Sequence, residues 1–237
     1  MDATSLEVIA QRCAVSRRHN ETMRSLMPVG TASSLRANFA RCAIDLALEH
    51  HSALIRVIEA GEYGTGGALL RPVLEASTAA YWFVYSATCG EIQALPTKAA
   101  DNVESDIPGL AAMIKRLTPI FPAIQGMSDA LKAGGAAKWL HKYTHGGAPQ
   151  LARRMAGGWD LGDVVMTLIR GDVFSVLAAC LETAIAKNET LASYGFGTRD
   201  DLGLELHSKF DVPLAPSQAH SLPAAPLLED GCGPPFA

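Results

Sequence analysis

"SSLRANFARCAIDLALEHHSALIRVIEAG", residues 33–61, is the stretch on which the fold class turns. Asp45, Glu49, Ser52, Arg56 and Glu59 recur at steps of four and three, which draws one polar stripe along a helix. Phe39, Ala43, Leu46, Ala53 and Val57, with Ile44, Leu48, Ile55 and Ile58 beside them, fill the wide opposite arc. That is the pattern of a helix burying most of its surface. Ser33 and Ser34 supply a starting cap and Gly61 a stop. His50 and His51 both fall on the apolar arc, where a histidine is more often a hydrogen-bonded core or boundary residue than a ligand.

Helical signals continue on both sides. A first helix is expected over 4–27, capped by Thr4 or Ser5 and stopped by Pro28-Val29-Gly30. A third is expected over 67–88, after the turn "GEYGTGG", with Pro72 either in its first turn or kinking it. Pro96, Pro108, Pro119 and Pro122 cut residues 89–137 into short helices. A helix over 136–145 leads into the glycine-rich link "GGAPQLARRMAGGWDLG", and a long helix follows at about 162–188. Val165, Leu168, Ile169, Val173, Val176, Leu177, Cys180, Leu181, Ala184 and Ile185 hold its helical period. Six of the 13 prolines lie in the last 25 residues, mixed with Ala, Ser and Gly. The expectation is an all-α protein, a bundle of four to five long antiparallel helices plus short ones over 1–190. Residues 191–237 read as an extended or disordered Pro/Ala-rich tail.

Composition narrows the function classes. Net charge is −4, from 20 basic and 24 acidic residues, which lacks the basic footprint of a DNA binder. Cys13, Cys42, Cys89, Cys180 and Cys232 are dispersed without CxxC spacing, so they read as reduced thiols and point to the cytoplasm. The start, MDATSLEV, carries acids where a signal peptide needs a basic then apolar run. The apolar stretch near 73–87 is interrupted by Glu75 and falls short of the ~20 residues of a membrane span. "GEYGTGG" has no following Gly-Lys-Ser/Thr, no nucleophile elbow occurs, and no cofactor is indicated. Enzymatic activity is left open.

"GALLRPVLEASTAAYWFVY" contains only two charges, Arg71 and Glu75, spaced to share a helix face. In an otherwise apolar helix they are expected either as a buried ion pair fixing register or as the polar part of a pocket. His141 and His145 in "KWLHKYTHGG" stand one turn apart before Gly146-Gly147. Such a pair can hold a metal ion, with Glu75 and Glu49 as further ligands, or favour the dipole of a helix end. Trp82, Trp139 and Trp159 read as core anchors.

"RPVLEA" followed by "LHKYTHGG" resembles uncharacterised bacterial all-helical proteins of unknown function, loosely connected with the HEPN-like bundles of phage-defence and toxin systems. The resemblance spans residues ~30–188 and rests on Arg71, Pro72, Glu75, His141, His145, Gly146 and Gly147. It implies that Arg71, Glu75 and the two histidines converge in one polar cluster. Many HEPN-like ribonucleases carry Arg, four to six residues, then His; here Arg12 and His19 fit that spacing, on the first helix. In such a site the His acts on a ribose hydroxyl and the Arg on phosphate charge. Three readings therefore stand: a homodimeric, ligand-responsive helical module; an RNA-acting HEPN-like protein; and a metal-binding bundle.

Overall fold

The computed structural model describes residues 1–30, 32, 34–95, 107–125, 129, 142, 144, 147–212, 222, 223 and 225. Among these the chain is all-α: α1 (Ala3–Leu26), α2 (Leu35–Glu59), α3 (Tyr63–Tyr85), α4 (Cys89–Gln93), α5 (Leu110–Leu117), a 3₁₀ turn (Pro122–Ile124), α6 (Ala148–Met155), α7 (Leu161–Cys180), α8 (Glu182–Ala186) and α9 (Glu189–Phe210). The starts are set by short polar side chains. Asp2 accepts from Ser5 N on α1, in place of the expected Thr4 or Ser5, and Ser34 accepts from Ala37 N on α2. Asp160 and Asn188 do the same for α7 and α9.

α7 is the central helix, packed against α1, α2, α3 and α9, and α2 and α3 form an antiparallel pair joined by a turn of three residues. Two apolar clusters fill the space between them. One gathers Met23, Ile44, Leu48, Trp82, Phe83, Ile169 and Val176; the other gathers Ile9, Cys13, Leu54, Ile55, Ile58, Leu70, Val164 and Leu168. The buried seam of α2 runs through Ala40, Ile44, Ala47, Leu48, His51, Leu54, Ile55 and Ile58, and Leu46, expected inside, is exposed.

Two arginines finish α3. Arg36, 1% exposed, donates from Nη1 to the carbonyls of Phe83 and Ala87, both at 2.6 Å. Arg116 donates to the Ser86 Oγ at 2.9 Å and to the Ser86 carbonyl, and its guanidinium also holds Glu91 at 2.6 Å. Cations at the negative end of a helix satisfy carbonyls that have no intrahelical partner. Arg116 hydrogen-bonding holds the Glu91 carboxyl down at about 2.

Several boundaries differ from the sequence reading. α3 begins at Tyr63, so Pro72 lies deep inside it and not in its first turn. The expected glycine-rich link contains α6, with Pro149 in its first turn. The helix expected to 188 breaks at Leu181, where Glu182 turns inward to meet Arg41. Helix α9 continues to Phe210, past the expected end of the bundle at 190: Leu191, Phe196 and Leu202 are buried, and the prolines on which the tail was read begin only at 213. Cys13, Cys42 and Cys180 are free thiols, but Cys89 is disulfide-bonded, against the expectation of five reduced cysteines. Leu161–Ala186 is long and apolar enough to match a membrane span, yet 72% of its apolar window is buried inside the bundle, as befits a core helix.

Gly195 lets α9 approach α7. A Cβ at this position would stand 2.5 Å from Cys180 Sγ, whereas one at Gly197 would meet nothing within 4 Å. Gly195→Ala is expected to lower stability by about 1–3 kcal/mol through overpacking. Gly197→Ala should be neutral or stabilising by up to about 1 kcal/mol through helix propensity. Urea denaturation of the two variants against the parent protein measures the difference.

Candidate functional site

Between the two apolar clusters lies a layer of polar side chains. Asp172, in the middle of α7, is 0% exposed and is the hub. Its Oδ2 accepts from Ser16 Oγ at 2.9 Å and pairs with Nη2 of Arg12, both from α1. Its Oδ1 meets Nε2 of His51, on α2, at 2.8 Å. Asn20 of α1 closes the layer: its Nδ2 donates to the Leu48 carbonyl at 2.8 Å and lies 3.1 Å from His51 Nδ1. Arg24 Nε donates to Asn20 Oδ1 at 3.2 Å. On the outer side, Glu205 of α9 stands 3.7 Å from Arg12. Gly171 gives the His51 ring its place, since a Cβ there would lie 3.3 Å from Cδ2.

A buried carboxylate is tolerated only when paired and hydrogen-bonded, and Asp172 has a cation, a hydroxyl and an imidazole. The three partners come from two other helices, so the layer fixes how α1, α2 and α7 register. Ser16 donates to Asp172, so the three side chains do not form the serine–histidine contact of a nucleophile relay. Burial pushes the nearby Cys13 thiol up to about 11 and Cys180 to about 12, which keeps both protonated and unreactive.

Arg12 and His19 do not form the solvent-facing acid–base pair that their spacing suggests. Arg12 is 6% exposed and committed to Asp172. His19 Nδ1 lies 2.7 Å from the hydroxyl of Tyr194 on α9, and burial lowers its basicity, with Asp172 opposing.

Arg71 and Glu75 do pair, Nε to Oε1 at 2.8 Å, but their side chains are 24% and 36% exposed, so the pair is part-exposed and not buried. His141 and His145 lie outside the described residues. Thr144, between them in sequence, is described, and its Oγ1 donates to the Ala68 carbonyl at 3.3 Å. The reason is local. Ala68 is four residues before Pro72, whose missing N–H leaves that carbonyl without its intrahelical donor. Thr144 supplies the replacement, one turn before Arg71. Farther along, Gly147 N–H donates to the Lys142 carbonyl at 2.6 Å, and Gly147 itself is extended, φ −73°, not left-handed. Gln150 Nε2 then reaches the Gly64 carbonyl at 3.3 Å. Glu49 is exposed on α2, and among the described residues no three His, Cys, Asp or Glu side chains gather at metal-binding distance. Of the tryptophans, Trp82 is a core residue, Trp159 is partly exposed beneath Arg153 at 4.7 Å, and Trp139 lies outside the described residues.

The fold and this site define a class: an all-α bundle held by a buried polar layer, with a part-exposed charged pair on one long helix. Residues 44–196, more than half of the chain, match the model of a family of unknown function, DUF6988, and the protein belongs to that family. No curated protein and no solved structure matches it. The matched segment contains His51, Arg71, Glu75 and Asp172, whereas Arg12, Ser16 and Asn20 lie before it.

Asp172→Ala should cost roughly 3–5 kcal/mol, because it leaves Arg12 buried without its carboxylate. Glu75→Ala should cost less than about 1 kcal/mol, the range of exposed pairs. Chemical denaturation of both variants reads the contrast directly.

Proposed function

We propose that the protein is a non-catalytic, ligand-responsive helical module, and that its site is the polar patch of α3 around Arg71 and Glu75, close to where Thr144 meets that helix. Arg71 and Glu75 supply a cation and a carboxylate on the part-exposed side of an otherwise apolar helix. His141 and His145 flank Thr144 in sequence and supply imidazoles that donate or accept a proton. The observation that supports the reading most is the Thr144–Ala68 hydrogen bond, which ties Thr144, a sequence neighbour of both histidines, to α3 within one turn of Arg71. The chemistry of this set suits a small anion: a guanidinium binds carboxylate or phosphate through paired N–H donors, and imidazoles add directional bonds. The Asp172 layer, whose hub is fully buried, is architecture in this reading.

The test is thermal denaturation with inorganic phosphate and with a nucleoside monophosphate as probes. A ligand that binds the folded state alone raises the midpoint with concentration. The expected result is a rise with one of them that is lost in both Arg71→Ala and His145→Ala, the unliganded variants melting close to the parent. No rise with either probe, or an equal rise in both variants, overturns the reading. A homodimer belongs to the same proposal, and light scattering at micromolar concentration showing a monomer removes that part.

A further inference from the structure

The end of α3 is held by more than its two arginines. Tyr85 closes the helix, its ring edge-on to that of Phe121 with the centroids 4.9 Å apart. Its hydroxyl donates to the Pro223 carbonyl at 3.0 Å, a partner 138 residues away in the chain. Leu222 and Ala225, on either side of Pro223, pack on the apolar cluster that contains Tyr85. The Pro/Ala-rich stretch beyond α9 therefore returns to the bundle. A chain end stays in place only where it is tied down, and one hydroxyl with two small apolar contacts is a light tie.

A second attachment lies beside the first. Cys89, four residues after Tyr85, opens α4 and is disulfide-bonded. Cys13, Cys42 and Cys180 are free, which leaves Cys232, outside the described residues, as the one cysteine of the chain that can be its partner. Cys232 follows Ala225 by seven positions, so the two attachments are neighbours on both segments. The Cys89 sulfur also has a cation next to it: Nη2 of the buried Arg36 donates to Sγ at 3.8 Å. A guanidinium beside a cysteine favours its thiolate, and a thiol that ionises readily is the better leaving group in thiol–disulfide exchange.

We propose that the segment after α9 is a redox-sensitive strap, closed over the end of α3 by a Cys89–Cys232 disulfide and opened by a dithiol. In the opening step a thiolate of the dithiol attacks the Cys232 sulfur. The electron pair of the S–S bond passes to the Cys89 sulfur, which leaves as a thiolate beside Arg36. The second thiol of the reagent then displaces Cys232, so that two electrons and two protons reach the protein and the dithiol becomes a disulfide. Without the covalent tie, the strap is left with the Tyr85–Pro223 bond and the contacts of Leu222 and Ala225, and it lifts from the face formed by Tyr85 and Phe121.

The test uses the full chain, purified in air without reductant. A maleimide added under native conditions should label Cys42 alone, since Cys13 and Cys180 are buried, and peptide mapping should recover Cys89 linked to Cys232. Native incubation with dithiothreitol before labelling should add Cys89 and Cys232. It should also make the stretch after Phe210 several-fold more sensitive to a protease of broad specificity. Cys232→Ser should show that sensitivity with or without dithiothreitol, and Cys42→Ser should behave as the parent does. Labelling of Cys89 without reductant overturns the proposal, as does a dithiothreitol-treated chain in which neither Cys89 nor Cys232 labels until it is denatured. Cleavage that dithiothreitol leaves unchanged overturns it as well.

Discussion

Burying one carboxylate in the middle of the central helix constrains almost everything around it. Asp172 needs a cation and donors within bonding distance, and α7 itself supplies none of them. α1 must therefore approach with Arg12 and Ser16 facing inward, and α2 must bring His51 to the other oxygen. Hydrophobic burial tolerates sliding of one helix along another, since apolar contact is non-directional. A carboxylate with three directional partners does not. The apolar clusters on either side give the bundle cohesion, and the layer between them gives it one register.

The same need for partners recurs where helices end. Arg36 and Arg116 complete the carbonyls at the end of α3. Arg41 meets the fully buried Glu182 where α7 gives way to α8. There burial raises the Glu182 carboxyl while Arg41 opposes the rise. Among the described residues the four buried charges, Arg12, Arg36, Asp172 and Glu182, all serve as internal connectors.

The all-α class was legible because α2 and α7 repeat apolar residues at helical spacing over many turns. His51 was legible as a satisfied core histidine for the same reason. The hub was not: Asp172 occupies a core position, four residues after Leu168 and four before Val176, and reads as an interruption in an apolar helix. Its significance depends on Arg12, 160 residues away in the chain, and no local pattern carries that relation. On α1 a clue was present, since Ile9, Cys13, Ser16, Asn20 and Met23 follow a three–four spacing that places two polar residues on the buried stripe. Pro72 and α9 show the opposite limit. Pro72 reads as either a first-turn residue or a kink, and 191–210 reads as tail from the prolines beyond it, whereas packing by distant residues decides both positions.

The proline inside α3 also says something about how the chain assembles. α2 and α3 are neighbours in sequence, joined by a short turn, and pair through contacts local in the chain. α3 nevertheless leaves that hairpin with a gap in its own backbone ladder at Ala68. The donor that fills it comes from a residue 76 positions downstream. The hairpin is thus incomplete by itself, and one bond of its backbone depends on a part of the chain far from it in sequence.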